Sequence, residues 1–191
     1  MSSKKIVLTG RPGVGKTTIV KNVVKALGGS VLGFWTEEIR DPEGVKRIGF
    51  SLNTTEGERI VFSSVNIVSP FKVGKYGVDV LIFEKHALPL LKKAKKEKKS
   101  LIVIDEIGKM ELFSNKFAEI AEKIVFECEN PFLGTIPSFD VHPLVHKIRN
   151  SRKVTLFHVS ERTRAYIGKE ILMLFTNLSG SPDTVESQLG S

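Results

Sequence analysis

Gly10, Arg11, Pro12, Gly13, Val14, Gly15, Lys16 and Thr17 complete the pattern G-x-x-x-x-G-K-[ST] directly after the apolar run 6–8. A glycine-rich backbone of this spacing turns its N–H groups inward. It makes an anion nest at the start of a helix, where the macrodipole also favours negative charge. The chemistry is phosphate binding, with Lys16 reaching the β- and γ-phosphates and the Thr17 hydroxyl offered to Mg²⁺. A second constellation, Asp105-Glu106, closes the apolar run 101–104. Two tandem acids there divide two tasks. Asp105 holds the Mg²⁺ shell, through water, while Glu106, one residue further out, orients or deprotonates an attacking water. The expected catalytic set is Glu106, Lys16 and Lys109, since Gly108 permits a turn that brings Lys109 back toward the phosphates. Thr18, Ile104, Ile107 and Gly108 complete the expected nucleotide-binding set. Thr135, near the end of the next strand, is placed to sense the γ-phosphate or its water.

These groups need a scaffold, and the chain of 191 residues suffices for one domain with a full core. The domain is expected over 1–176, with residues 177–191 as a polar, flexible tail. The single cysteine, Cys128, excludes an intramolecular disulfide and a cysteine-rich zinc module and points to a reducing, cytoplasmic setting. No apolar run approaches the length of a membrane helix. No membrane contact or obligate protein partner is expected. The net charge of +8 comes largely from residues 92–99, where six lysines face only Glu97. No aromatics interleave them as a base-stacking surface requires, so a solvated helix face is the simpler expectation and RNA the sharper one. His142 and His146 are four residues apart, with no third ligand near in sequence.

Periodicity places the elements. Ile19, Val20, Val23, Val24 and Leu27 follow the phosphate loop at helical spacing until Gly28-Gly29 stops the run. A strand is expected over 31–35, then short alternating strands over 36–64, separated by Asp-Pro-Glu-Gly and Glu-Gly turns. These make an antiparallel hairpin insertion at one edge, able to cover a bound ligand. Asp79 caps a helix with the stripe Phe83, Ala87, Leu90, Leu91 and Ala94, which Pro89 kinks or shortens. The unbroken run 101–104 predicts a strand buried on both faces, and its distance from Lys16 in sequence leaves room for an intervening strand, which would bring it to the side of the first strand. Ser114 caps a helix with Phe117, Ile120, Ala121, Ile124 and Cys128 inward. A strand over 132–136, a short helix from Pro143 to Arg149, a strand over 153–159 and a last helix capped by Ser160 finish the order. Alternating strands and helices predict an α/β fold with a mainly parallel central sheet, helices on both faces, and ligands beyond the strands' carboxyl ends.

Residues 10–17, the run Asp105-Glu106-Ile107-Gly108-Lys109-Met110-Glu111-Leu112 and Gly134-Thr135-Ile136-Pro137 together resemble the thermophilic and cancer-related nucleoside-triphosphatase family. The resemblance covers about residues 4–175. It implies a RecA-like fold and a Mg²⁺-dependent hydrolase that splits ATP, GTP, CTP, UTP or TTP to the diphosphate and phosphate. It carries the metal-associated acid onto Asp105, the catalytic acid onto Glu106 and a charge-stabilising lysine onto Lys109. Where relatives show an Asn-Arg pair this chain has Thr163-Arg164. The same loop also serves nucleotide or small-molecule kinases, and a nucleotide-dependent switch binding RNA through residues 92–99 is a third possibility.

Overall fold

The computed structural model describes residues 4–98 and 100–179, with side chains through residue 176. Its centre is a nine-stranded sheet in the order β5-β6-β4-β3-β2-β7-β8-β1-β9. Five strands form a parallel block: β2 (Val31–Arg40), β7 (Leu101–Asp105), β8 (Phe132–Thr135), β1 (Lys5–Thr9) and β9 (Thr155–His158). The remaining four form an antiparallel wing: β3 (Arg47–Thr54), β4 (Arg59–Ser64), β5 (Lys72–Val73) and β6 (Tyr76–Val78).

Side chains alternate across a strand, so each central strand feeds two cores. Ile6 and Leu8 of β1 and Leu101 and Val103 of β7 pack under α1 (Lys16–Leu27) and α5 (Arg164–Ser179), against Ile19, Val20, Val23 and Ile171. Val7, Ile102 and Ile104 face the other way, under α2 (Val80–Lys96), α3 (Asn115–Phe126) and α4 (Pro143–Arg149). That second core holds a ring cluster in which Phe83 packs edge-on to Phe34 and Phe117, at 5.8 and 5.2 Å between centroids. Fully burying one such ring contributes about 2–3 kcal/mol. Capping residues act as their sequence positions foretell: Asp79 accepts from the Ile82 N–H at 2.9 Å and Ser114 from the Phe117 N–H at 3.0 Å. Ser160 and Thr163 exchange side-chain and backbone hydrogen bonds just before α5.

Several expectations need correction. The strand ending in Asp105 is not beside the first; β8 lies between them, pairing with both. The segments 31–35 and 36–40 are one strand. Its first half pairs parallel to β7 and its second half antiparallel to β3, so burial changes along it while the backbone does not break. The wing extends beyond residue 64, to Val78, and continues the plane of hydrogen bonding. Pro89 leaves α2 continuous over 17 residues, because a stripe of six buried side chains outweighs one missing N–H. Cys128 lies past the end of α3, half-buried. Helix α5 runs to Ser179, past the boundary expected at residue 177, and the rest of the expected tail, residues 180–191, lies outside the described residues. No helix among the described residues is long and apolar enough to cross a membrane.

Candidate active site

The loop between β1 and α1 takes the conformation that its glycines allow. Gly10, Gly13 and Gly15 all have positive φ, at 152°, 75° and 107°. Side chains are strained there, and at Gly10 an added Cβ would also lie 2.4 Å from the Val159 carbonyl oxygen. Arg11, Pro12 and Gly13 are exposed, while Val14 packs on the α1 side of the core. Lys16 is buried and folds over the loop, its Nζ donating to the Gly10 carbonyl at 3.0 Å and the Arg11 carbonyl at 3.3 Å. The ammonium therefore sits inside the curl where a phosphate chain would lie. The first turn of α1 has no side-chain cap, which leaves its N–H groups for an anion.

Strand periodicity explains how Asp105 reaches this loop. It shares the face of Leu101 and Val103, the α1 face, and Thr135 shares it with Leu133. Asp105 is 1 % exposed and accepts hydrogen bonds from Thr135 and Thr17. Its Oδ2 is buried with no hydrogen-bond partner among the described residues. Burial raises its pKa, against the hydrogen bonds from Thr135 and Thr17 and the nearby Lys16 charge. An unpartnered carboxylate oxygen next to the hydroxyl of Thr17 is a hard oxygen pair suited to Mg²⁺, which takes few protein ligands and completes its shell with water and phosphate. The described residues hold no group of three or more His, Cys, Asp or Glu side chains that could bind a metal.

Glu106 follows the strand across a cis peptide and is half-buried. Burial pushes its pKa up to about 6, with Lys16 lowering and Asp105 raising it. That coupling puts Glu106 in the field of the loop lysine. The turn carrying it is braced at both ends: the buried Ile107 donates its N–H to the Thr135 carbonyl at 2.9 Å, and the Leu112 N–H bonds to the Gly108 carbonyl at 3.0 Å. Ile104 is a core residue behind this edge, Thr18 is exposed on α1, and Lys109 stands exposed in the turn.

Thr135 donates its hydroxyl to Asp105 across the β7–β8 pair, at the carboxyl edge of the sheet. Sequence reasoning gave no role to Glu111. This carboxyl is 5 % exposed, and burial with the charge of Glu106 pushes its pKa up to about 8. Nothing local in the sequence separates it from a surface glutamate; the one signal was its place in the family-like run 105–112. The two histidines are spoken for, His142 capping α4 through the Leu144 N–H and His146 pairing with Asp140. Phe34 is core and Trp35 donates to Glu37.

A groove of about 350 Å³ opens beside the loop between α1 and α5, lined by Gly15, Thr18, Asn22, Arg164, Ala165 and Lys169 among others. A larger hollow of about 580 Å³ lies away from this chemistry, on the opposite face of the sheet between α2 and α3. There Lys92, Lys95 and Lys96 face Lys116 and Lys123, while Lys93 pairs with Glu56.

A phosphate loop at the carboxyl end of one parallel strand, with an acid pair ending the strand two places away, defines a phosphate-loop nucleotide hydrolase of RecA-like architecture. The family described as NTPase matches residues 5–172. The chain is 48% identical over 174 residues to the nucleoside-triphosphatase THEP1 of Aquifex aeolicus, covering 89% of this chain and 98% of that protein. It is 39% identical over 183 residues to the human cancer-related nucleoside-triphosphatase, covering 89% and 95%. The crystal structure of the Aquifex THEP1 superposes with a TM-score of 0.82 at 46% identity, over 90% of this chain and 98% of that one. The chain belongs to this nucleoside-triphosphatase family.

Proposed function

We propose that the protein is a Mg²⁺-dependent nucleoside-triphosphate phosphohydrolase that uses water as acceptor and tolerates different bases. The observation that carries this reading is the pairing of two acids in different surroundings beside the phosphate loop. Asp105 is buried beside Thr17 with an oxygen to spare, and Glu106 is half-buried within the field of Lys16. Loop amides and Lys16 bind the triphosphate and stabilise charge on the departing diphosphate. Thr17 and Asp105 would hold Mg²⁺, which supplies charge neutralisation at the phosphates. With a pKa near 6, Glu106 is ionised at neutral pH yet basic enough to take a proton from water as the water oxygen bonds to the γ-phosphorus and the β–γ bridge breaks. Lys109 is assigned to the same charge from the exposed side of the turn.

Base tolerance is supported by the absence of an Asn-Lys-x-Asp guanine-reading motif and by the open groove beside Thr18. The test is Glu106→Gln, which keeps nucleotide binding and lowers phosphate release by about 100-fold or more. Full turnover in that variant removes Glu106 from its role. Phosphate release that depends on an added nucleoside or monophosphate would instead favour a kinase.

A further inference from the structure

We propose that Glu111 is a positioning residue for hydrolysis: its buried carboxyl, on the inner side of the Gly108 turn, is the hydrogen-bond donor that orients the Glu106 carboxylate. The inference rests on the water-activating role of Glu106 given above and extends it to a residue that nothing else in the site explains.

Three observations converge on Glu111. First, it is a carboxyl at 5 % exposure that enters no ion pair with Lys, Arg or His among the described residues. A buried carboxylate without a cation is costly, so such a group persists as the neutral acid or is paired through hydrogen bonds. Second, its named ionisable neighbours are both acids, Glu106 and Asp105, and each disfavours its ionised form. Its pKa of about 8 follows from burial first and Glu106 second.

Third, the geometry is tight. A Cβ built on Gly108 would lie 3.0 Å from Glu111 Oε2 and 3.3 Å from both Cδ and Cγ of Glu106. The two side chains therefore converge on the space that a missing methyl leaves open. The Gly108 N–H and the Glu111 N–H itself donate to the Glu111 carboxyl. These bonds favour the ionised form but are outweighed by burial and the two acidic neighbours, which leaves the acid a hydroxyl to donate. A carboxylic acid kept neutral by its surroundings so that it can donate a hydrogen bond is an established device for holding catalytic charge.

The turn supplies the rigidity this needs. Glu111 opens the 3-10 segment Glu111–Phe113, and its own backbone carbonyl accepts the Ser114 N–H at 3.1 Å. Ser114 then caps α3 and donates to Glu84 at 2.8 Å. In this arrangement Glu111 keeps its proton throughout turnover. Its part is to hold the Glu106 oxygens at one angle, since a displacement near 1 Å costs about 100-fold in rate.

The experiment measures steady-state phosphate release from Mg-ATP by the full chain, with melting curves recorded for every variant. Glu111→Gln, which keeps a donor and lacks a charge, is expected to retain kcat within about threefold. Glu111→Ala is expected to lower kcat about 100-fold with KM nearly unchanged, and Glu111→Asp to fall between and to carry the test if the alanine variant does not fold. On a Glu106→Gln background the Glu111→Ala loss is expected to vanish, because the group it orients is already disabled. Wild-type kcat in both Glu111→Ala and Glu111→Asp, equal losses in Gln and Ala, or an undiminished loss on the Glu106→Gln background would each overturn the proposal. Full turnover of Glu106→Gln alone would instead overturn the reading on which it rests.

Discussion

Placing a methyl group on Gly108 separates catalysis from stability at this site. In Gly108→Ala the new carbon would sit 3.0 Å from Glu111 Oε2 and 3.3 Å from Cδ and Cγ of Glu106, where carbon contacts ordinarily settle at about 3.5–4.0 Å. Both side chains must retreat by a few tenths of an ångström. The backbone is not the obstacle, since Gly108 is absent from the positive-φ glycines. Crowding of this kind costs about 1–3 kcal/mol. Replacing glycine at a compatible backbone returns about 0.4–1 kcal/mol by restricting the unfolded chain. The net destabilisation is about 1 kcal/mol, a fall in Tm of about 2–4 °C for a chain of this length. Turnover responds more steeply: if a 1 Å misplacement costs about 100-fold, a displacement of roughly half that costs about tenfold in kcat. Phosphate release at saturating Mg-ATP, with calorimetric titration of a non-hydrolysable analogue, reads the two effects apart. Wild-type kcat in a folded Gly108→Ala protein, or a loss confined to nucleotide affinity, would refute the idea that the acids are held in register across this glycine.

Elsewhere, Lys5 reaches from β1 to donate to the Ile124 carbonyl at 2.9 Å and the Asn130 carbonyl at 2.8 Å, tying the end of α3 to the sheet. Its burial lowers the ammonium pKa to about 8. Lys5→Met leaves both acceptors unsatisfied and is expected to lower stability by about 2 kcal/mol, which thermal or urea unfolding would measure; a Tm equal to wild type contradicts it. Glu111 also predicts a pH signature. Its folded pKa, about 8, lies above the usual 4.5, so its contribution to stability is complete below about pH 4.5 and is lost as pH climbs through 8. The Tm of Glu111→Gln should therefore gain on wild type on the order of 3 °C per pH unit across that window and level off above it. A constant difference between the two melting curves would mean that Glu111 is ionised in the folded protein.

What could be foreseen from the chain follows what is local. The phosphate loop is legible because its chemistry demands glycine at positive φ, a lysine and a hydroxyl at fixed spacing, and residues 10–17 supply all three. Helices α1 and α2 and their stops are legible as stripes and caps, and strand β7 as an unbroken apolar run. Strand order is not local. That β8 separates β1 from β7, and hence that Thr135 binds Asp105, depends on which strands pair after the helices have packed. Strand β2 was hidden for a related reason: its two halves have different neighbours, so its burial pattern changes at Trp35 as though a new element began. Glu111 escaped because only folding turns its side chain inward.

The sheet has two outer margins, and their brevity has a bearing on how the protein survives at high concentration or under heat. An open margin offers unsatisfied amide and carbonyl groups to any other extended chain, and a long flat one seeds aggregation. Here one margin is β5, only two residues with an exposed Lys72, and the other is β9, only four. Nine strands thus end in two stubs that offer another extended chain little backbone to pair with.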